Sequence, residues 1–258
     1  KTNSIVPIRN ESMNIIKKIY DEVCKEPKNA YYDEKDGKIV PHVVGYSFDI
    51  GEVKKLVENI KDDETVKVEL TVRLPEITEA KLTGEMFSDT LASYSTKYNP
   101  SEVDRSYNML LASNKVNGTV LQPGGEFSYN KVVGERTVAA GYRNAKVFEN
   151  GRVVDGLGGG ICQVSTTIYN AALYANLEIV ERKNHSFAVV YAPKGQDATV
   201  VMGQIDFKFK NNTKYPIKVV SSVSGGVCTV TILGTKDQNY KVEIVNTVTS
   251  TKNFETIY

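Results

Sequence analysis

The run Gly158-Gly159-Gly160-Ile161-Cys162-Gln163-Val164-Ser165-Thr166-Thr167 constrains the fold of this chain more than any other stretch. Three successive glycines let a backbone turn sharply and leave room for another group to approach it closely. A single cysteine follows almost at once, and residues 165–175 read as a buried helix. A cysteine that enters a helix from a glycine turn stands where unpaired N–H groups and the positive end of the helix dipole converge. Such a setting lowers a thiol pKa and can also cradle an oxyanion. Cys162 is therefore the candidate nucleophile, and the backbone around Gly159, Gly160 and Gln163 is the candidate oxyanion site. A phosphate-binding turn fits badly, because no Gly-Lys-Ser/Thr ending follows the glycines.

A thiol nucleophile needs a base, usually a histidine. The chain has 2 histidines. His42, beside Pro41 in an apolar stretch, reads as structural. His185 stands about two dozen residues after Cys162, a separation that allows a helix and a returning strand to bring the two together. A third group should hold the imidazole; Asp197 and Asp206 are the acidic candidates, and a backbone carbonyl would also serve. Arg182, Lys183 and Arg152 are candidates for a substrate carboxylate, against surface pairing as the ordinary role of such residues. The competing reading makes Cys162 a buried structural thiol and the glycine run a point of close packing in a non-catalytic binding module.

Composition bounds the remaining classes. With 258 residues, 41% hydrophobic and 24% charged, the chain can build one large domain or two small ones. A net charge of +1 gives no support for nucleic-acid binding. The 3 cysteines exclude a disulfide framework and leave at least one free thiol; Cys24 and Cys228 read as small core residues. No His or Cys set has metal-ligand spacing, so neither metal nor organic cofactor is expected. No run approaches the roughly 18 apolar residues of a membrane span. A start at Lys1 leaves room for a signal or membrane-anchor segment ahead of it.

The pattern along the chain predicts an α+β protein in two parts. Residues 10–25 form an amphipathic helix with Ile15, Ile16, Ile19, Tyr20 and Val23 on one face. Asp36-Gly37 marks a hairpin. Asp49 with Glu52 reads as a capping box for a helix through Ile60, and residues 65–74 alternate as a strand. This small α+β unit spans 1–80. A larger mixed unit spans 81–245, with a tail over 246–258. It opens with an extended stretch over 82–100 and a helix capped at Ser101-Glu102-Val103-Asp104. A hairpin around Asn150-Gly151 precedes the glycine run. The β-rich C-terminal part is expected to hold strands at 177–180, 188–191, 198–202, 205–209, 217–223, 227–233 and 242–248, with a hairpin at Ser224-Gly225-Gly226.

Several separated blocks carry a family resemblance: Gly125-Glu126-Phe127-Ser128-Tyr129-Asn130, Val133-Gly134-Glu135-Arg136-Thr137, the Gly158–Thr167 run, Glu181-Arg182-Lys183-Asn184-His185-Ser186 and Gly195-Gln196-Asp197-Ala198-Thr199-Val200. Together they resemble the VanW domain over roughly residues 85–235. The first unit is similar, in pattern more than in motif, to the peptidoglycan-binding domain that often precedes VanW in surface proteins of Gram-positive bacteria. The resemblance implies an L,D-transpeptidase that makes 3→3 cross-links in peptidoglycan, with Cys162 as nucleophile and His185 as its base. On this expectation Asp197 orients His185, and Arg182 and Ser186 lie on the substrate side. The partners would be peptidoglycan stem peptides, and the protein a monomer at the extracellular cell wall or anchored to the membrane surface. Hydrolysis at the same site would make it a carboxypeptidase instead. No Ser-His-Gly-Cys motif of the YkuD-type transpeptidases is present, so a shared mechanism would be convergent or remote.

Overall fold

The computed structural model describes residues 6–33, 35–59, 61, 65–149, 152–237 and 239–247. The chain divides into two compact units, Lys1–Gly84 and Glu85–Tyr258. The expected Asn150-Gly151 turn, the end of the second helix at Ile60 and most of the 246–258 tail lie outside the described residues.

The first unit contains helix α1 (Val6–Val23), strands β1 (Tyr31–Asp33), β2 (Lys38–Val40) and β3 (Gly45–Ser47), helix α2 (Ile50–Glu58) and strand β4 (Thr71–Arg73). Helix α3 (Glu79–Glu85) follows at the boundary. Among the described residues its core includes Ile16 from α1, which meets Phe48 and Val53 with Cys24 packed beside them, and the buried Ala30, Ile77 and Leu82. The apolar stripe of α1 is wider than this core can cover, and Ile15 and Ile19 remain exposed. Asp49 caps α2 as expected, accepting from the Gly51 and Glu52 N–H groups at 2.7 and 3.0 Å. The predicted 65–74 strand shrinks to β4. Among the described residues it pairs with the three-residue β3, and those just before Thr71 join no ladder. His42 is structural, its Nδ1 accepting from the Glu79 N–H at 3.1 Å where α3 begins.

The second unit holds β5 (Asp89–Lys97), α4 (Val103–Val116), β6 (Val120–Leu121), β7 (Glu126–Ser128), α5 (Tyr129–Val133), β8 (Asn144–Glu149), β9 (Arg152–Leu157), α6 (Ile161–Tyr174), β10 (Glu178–Glu181), β11 (Lys208–Lys210), β12 (Ile217–Ser224) and β13 (Val227–Gly234). These strands make a four-stranded antiparallel sheet in the order β5-β13-β12-β6, a three-stranded sheet β10-β11-β7 and the hairpin β8-β9. Alternation sorts the long hairpin: Ile217, Val219, Cys228, Val230 and Ile232 all point inward. Helix α6 packs against β5, β13, α4 and β10. Its apolar side chains Val164, Ile168, Ala171 and Ala172 are fully buried, where each larger one contributes about 1.5–3 kcal/mol.

Several expectations for this unit need correction: residues 82–85 end α3 instead of being extended, and the 205–209 strand is reduced to β11. Ser101 does not cap α4; its hydroxyl bonds Asn99 Oδ1 at 2.7 Å, and Glu102 takes the cap position without a side-chain bond. Residues 188–191 are not a strand, and Val190 is wholly exposed. Residues 198–202 do not join a sheet either, apart from a single bridge between Val201 and Ile205. Polar side chains of α6 hold that segment instead. Ala198 donates its N–H to Thr166 Oγ1 at 3.0 Å, and its carbonyl accepts from Ser165 Oγ at 2.7 Å. Residues 242–247 likewise form no strand.

Candidate active site

Cys162 is the second residue of α6, one step past the glycine turn. Each glycine of that turn has its own reason. Gly158 and Gly160 adopt φ of +81° and +106°, where a side chain is strained. A Cβ on Gly159 would sit 2.6 Å from the Lys146 carbonyl of β8, so this glycine allows the turn to lie against the hairpin. Buried Asn108 of α4 fastens the same junction: its Nδ2 donates to the Arg143 and Gly159 carbonyls, and its Oδ1 accepts from the Arg143 N–H. Asn108 is a positioning residue that carries no signal in the sequence.

The predicted base arrives from the loop after β10. His185 Nδ1 lies 2.6 Å from Asp197 Oδ2, and the same oxygen accepts the His185 backbone N–H at 2.6 Å. Two bonds to one oxygen fix both the ring and the backbone that carries it. The far side of the ring hydrogen-bonds Cys162. The Cys162 sulfur also approaches Thr199 Oγ1 and the Val200 carbonyl, each at 3.7 Å. Asp197 is therefore the third member of a Cys–His–Asp array. Asp206 serves elsewhere, accepting from Ser128 Oγ at 2.6 Å and from the Asn130 N–H.

The charges follow from this geometry. Burial alone would raise the Cys162 thiol, but the hydrogen bond and charge of His185 outweigh it and bring the thiol below its ordinary value. Burial alone would pull His185 down; Asp197 and Cys162 outweigh that and raise it to about 9. Burial pushes the Asp197 carboxyl up, and its bonds to His185 more than offset this and hold it below the usual carboxylate range. Each member of the pair thus favours the charged form of the other, thiolate for Cys162 and imidazolium for His185. By contrast Cys228, buried away from any base, has its thiol pushed up to about 11.

Not every expected residue faces the substrate side. The Arg182 guanidinium is used up behind the array, bonding the Asp197 carbonyl at 2.7 Å, Gly195 O at 2.8 Å and Asp197 Oδ1 at 3.3 Å. Ser186 is exposed beside the histidine, outside the cleft lining. The Gln163 N–H turns back to the Gly160 carbonyl at 3.0 Å. Its side chain is locked between Arg105 Nη2, Thr96 Oγ1 and the Lys97 carbonyl. Gln163 therefore braces the helix start. Of the first-turn donors, the Cys162 N–H is one that helix geometry leaves without an intrahelical acceptor.

Cys162, His185 and all three glycines line one cleft of about 280 Å³. Arg105, Lys146 and Tyr191 also line it with no motif to mark them, and so does Arg136 of the Val133–Thr137 block, whose role no motif states. Tyr191 sets its ring edge-on to His185, with centroids 6.5 Å apart, and its hydroxyl bonds Thr166. Burial pushes its phenol far above the ordinary value, so it stays neutral. Among the described residues no His/Cys/Asp/Glu group is arranged to hold a metal ion, and no helix is long and apolar enough to cross a membrane.

A family profile described as "VanW like protein" matches residues 104–233, which include Cys162, His185 and Asp197. The chain belongs to the VanW-like family. It is 34% identical over 233 residues to the uncharacterized protein YoaR of Bacillus subtilis, covering 90% of this chain and 74% of that one. It is 31% identical over 115 residues to the vancomycin B-type resistance protein VanW of Enterococcus faecalis, covering 43% of this chain and 42% of that one. No solved structure matches the chain. The VanW-like match begins inside α4 and ends in β13, so it spans Cys162, the loop that carries His185, and Asp197.

Proposed function

We propose that this protein is a cysteine-dependent acyltransferase acting on peptidoglycan stem peptides, an L,D-transpeptidase forming 3→3 cross-links. The observation that carries this reading is the Cys162–His185–Asp197 array at the mouth of one cleft, at the head of a 14-residue helix. In the first half-reaction the Cys162 thiolate attacks the carbonyl carbon between the L-centre and the terminal D-residue. The oxyanion is met by the helix start and its N–H groups. His185 gives its proton to the leaving nitrogen as the C–N bond breaks, leaving a thioester and a free D-amino acid. In the second half neutral His185 takes a proton from the acceptor amine as that nitrogen attacks the thioester. The C–S bond breaks, an amide forms, and thiolate and imidazolium are restored. Attack by water in place of the amine is the carboxypeptidase outcome of the same site.

Family membership supports a cell-wall setting, since one relative is named for vancomycin resistance. Binding of peptidoglycan by the first unit and an extracellular location both belong to this proposal. The test is incubation with tetrapeptide muropeptides and mass analysis of the products. Cross-linked dimers that vanish in Cys162→Ala are expected. Trimmed monomers without dimers would shift the activity to hydrolysis, and identical profiles for wild type and Cys162→Ala would end the enzyme reading.

A further inference from the structure

Three cationic side chains line the cleft: Arg105, Arg136 and Lys146. Two of them face carboxylates. Arg105 Nε lies 3.5 Å from Glu102, and Lys146 Nζ lies 2.9 Å from Asp155. Arg136 faces none among the described residues. Its Nη2 donates to the neutral Asn130 amide oxygen at 2.7 Å, while Nε and Nη1 are buried with no hydrogen-bond acceptor among the described residues. Asn130 cannot swing to help, because its Nδ2 is held by the Val201 and Ile205 carbonyls. The guanidinium lies 5.6 Å over the Tyr129 ring, but that phenol is buried, keeps its proton and donates to the Ile161 carbonyl. The arginine stem packs against Gly158, the first glycine of the turn that delivers Cys162.

An arginine keeps its charge at any ordinary pH. Leaving two of its nitrogens buried and unpaired costs stability, and a fold retains such a group where something else completes it. Among the described residues no aspartate or glutamate lines the cleft to do so. We propose that Arg136 binds a free carboxylate of the acyl-donor peptide and thereby decides which peptides reach Cys162. This rests on reading the cleft as an acyl-transfer site. Two carboxylates of a stem tetrapeptide share the required chemistry. One is the terminal carboxylate of the leaving residue, and the other is the side-chain carboxylate of a diaminopimelate at the acylated position.

The test measures binding with a Cys162→Ser protein, so that turnover does not intervene. Three probes are titrated: a tetrapeptide ending in diaminopimelate–D-alanine, its C-terminal amide and its side-chain amide. One amide is expected to bind about tenfold or more weakly than the free acid, as suits loss of a charge-assisted hydrogen bond, and its identity names the carboxylate. Adding Arg136→Gln should bring all three probes within about twofold of each other, and Arg136→Lys should restore part of the preference. Thermal melting of Arg136→Gln should match or exceed that of the parent, because an unpaired buried cation has been removed. Equal binding of all three probes by the parent, no binding of any, or a preference that survives Arg136→Gln would each overturn the proposal. A marked fall in melting temperature for Arg136→Gln would mark a structural arginine and overturn it too. Dimers formed by wild type without any amide effect would remove only Arg136. An Arg136-dependent preference without thioester or product would remove only the transferase reading.

Discussion

At the scale of residues, the decisive contact is one carboxylate oxygen, Asp197 Oδ2, that takes both the ring and the backbone N–H of His185. The raised His185 value has a defined sign. Its charged form contributes stability that is fully present below the ordinary value of 6.5 and is lost as pH rises through about 9. Acylation needs the imidazolium as acid, so acyl transfer should decline above about pH 9 in the wild type. Asp197→Asn removes the strongest influence raising His185. It should move that alkaline limb toward neutrality and cost on the order of a hundredfold or more in rate. A pH–rate profile for each protein checks this; an unmoved limb would mean that Asp197 does not tune the histidine. The glycines admit an equally direct test. Gly159→Ala places a Cβ against the Lys146 carbonyl and should destabilise the fold by about 1–3 kcal/mol, measured by denaturant unfolding.

At the scale of elements, α6 does two things at once. Its first turn carries Cys162, and its buried polar face holds the irregular segment that carries Asp197. Thr166 takes the Ala198 N–H, Ser165 takes the Ala198 carbonyl, and Asn170 takes the Gln196 carbonyl. Thr166→Val keeps the shape but leaves the Ala198 N–H without its acceptor, which should cost about 1–3 kcal/mol. The same substitution should slow alkylation of Cys162 near neutral pH, because His185 would lose its firm backing. Unchanged stability and alkylation would show that the segment is held by other means. These contacts explain what the sequence could and could not convey. The helix, the turn and the β12–β13 hairpin were legible from periodicity and glycine placement. Residues 198–202 look like a strand because Ala198, Val200 and Val201 are apolar. Their hydrogen bonds go instead to Ser, Thr and Asn side chains on a helix distant in sequence. The one available signal was that α6 has so many polar residues among its buried ones. Asn108 was invisible for a similar reason, and Arg136 stood in a quoted block without a role: the meaning of each lies in which partners it has or lacks.

At the scale of the whole molecule, each of the two units has its own core. That of the first centres on Ile16, Phe48 and Val53, whereas the second buries a far larger cluster around α6 and the β12–β13 hairpin. Among the described residues the first unit buries fewer apolar side chains, and a smaller core is a weaker basis for stability. Calorimetry of the full chain should therefore resolve two unfolding transitions, the first unit melting at the lower temperature. One two-state transition, with equal calorimetric and van't Hoff enthalpies, would show that the units unfold together.

The double duty of α6 has a mechanical consequence. The thiol rides on the helix, and its base is tied through Asp197 to side chains of that helix. A rigid displacement of α6 therefore carries donor and acceptor of the proton in step. The opposite wall, made partly by β8 and β9, touches the helix start at Gly159 but holds neither partner. A shift of that hairpin would leave the sulfur–imidazole spacing in the keeping of α6 and the segment it holds.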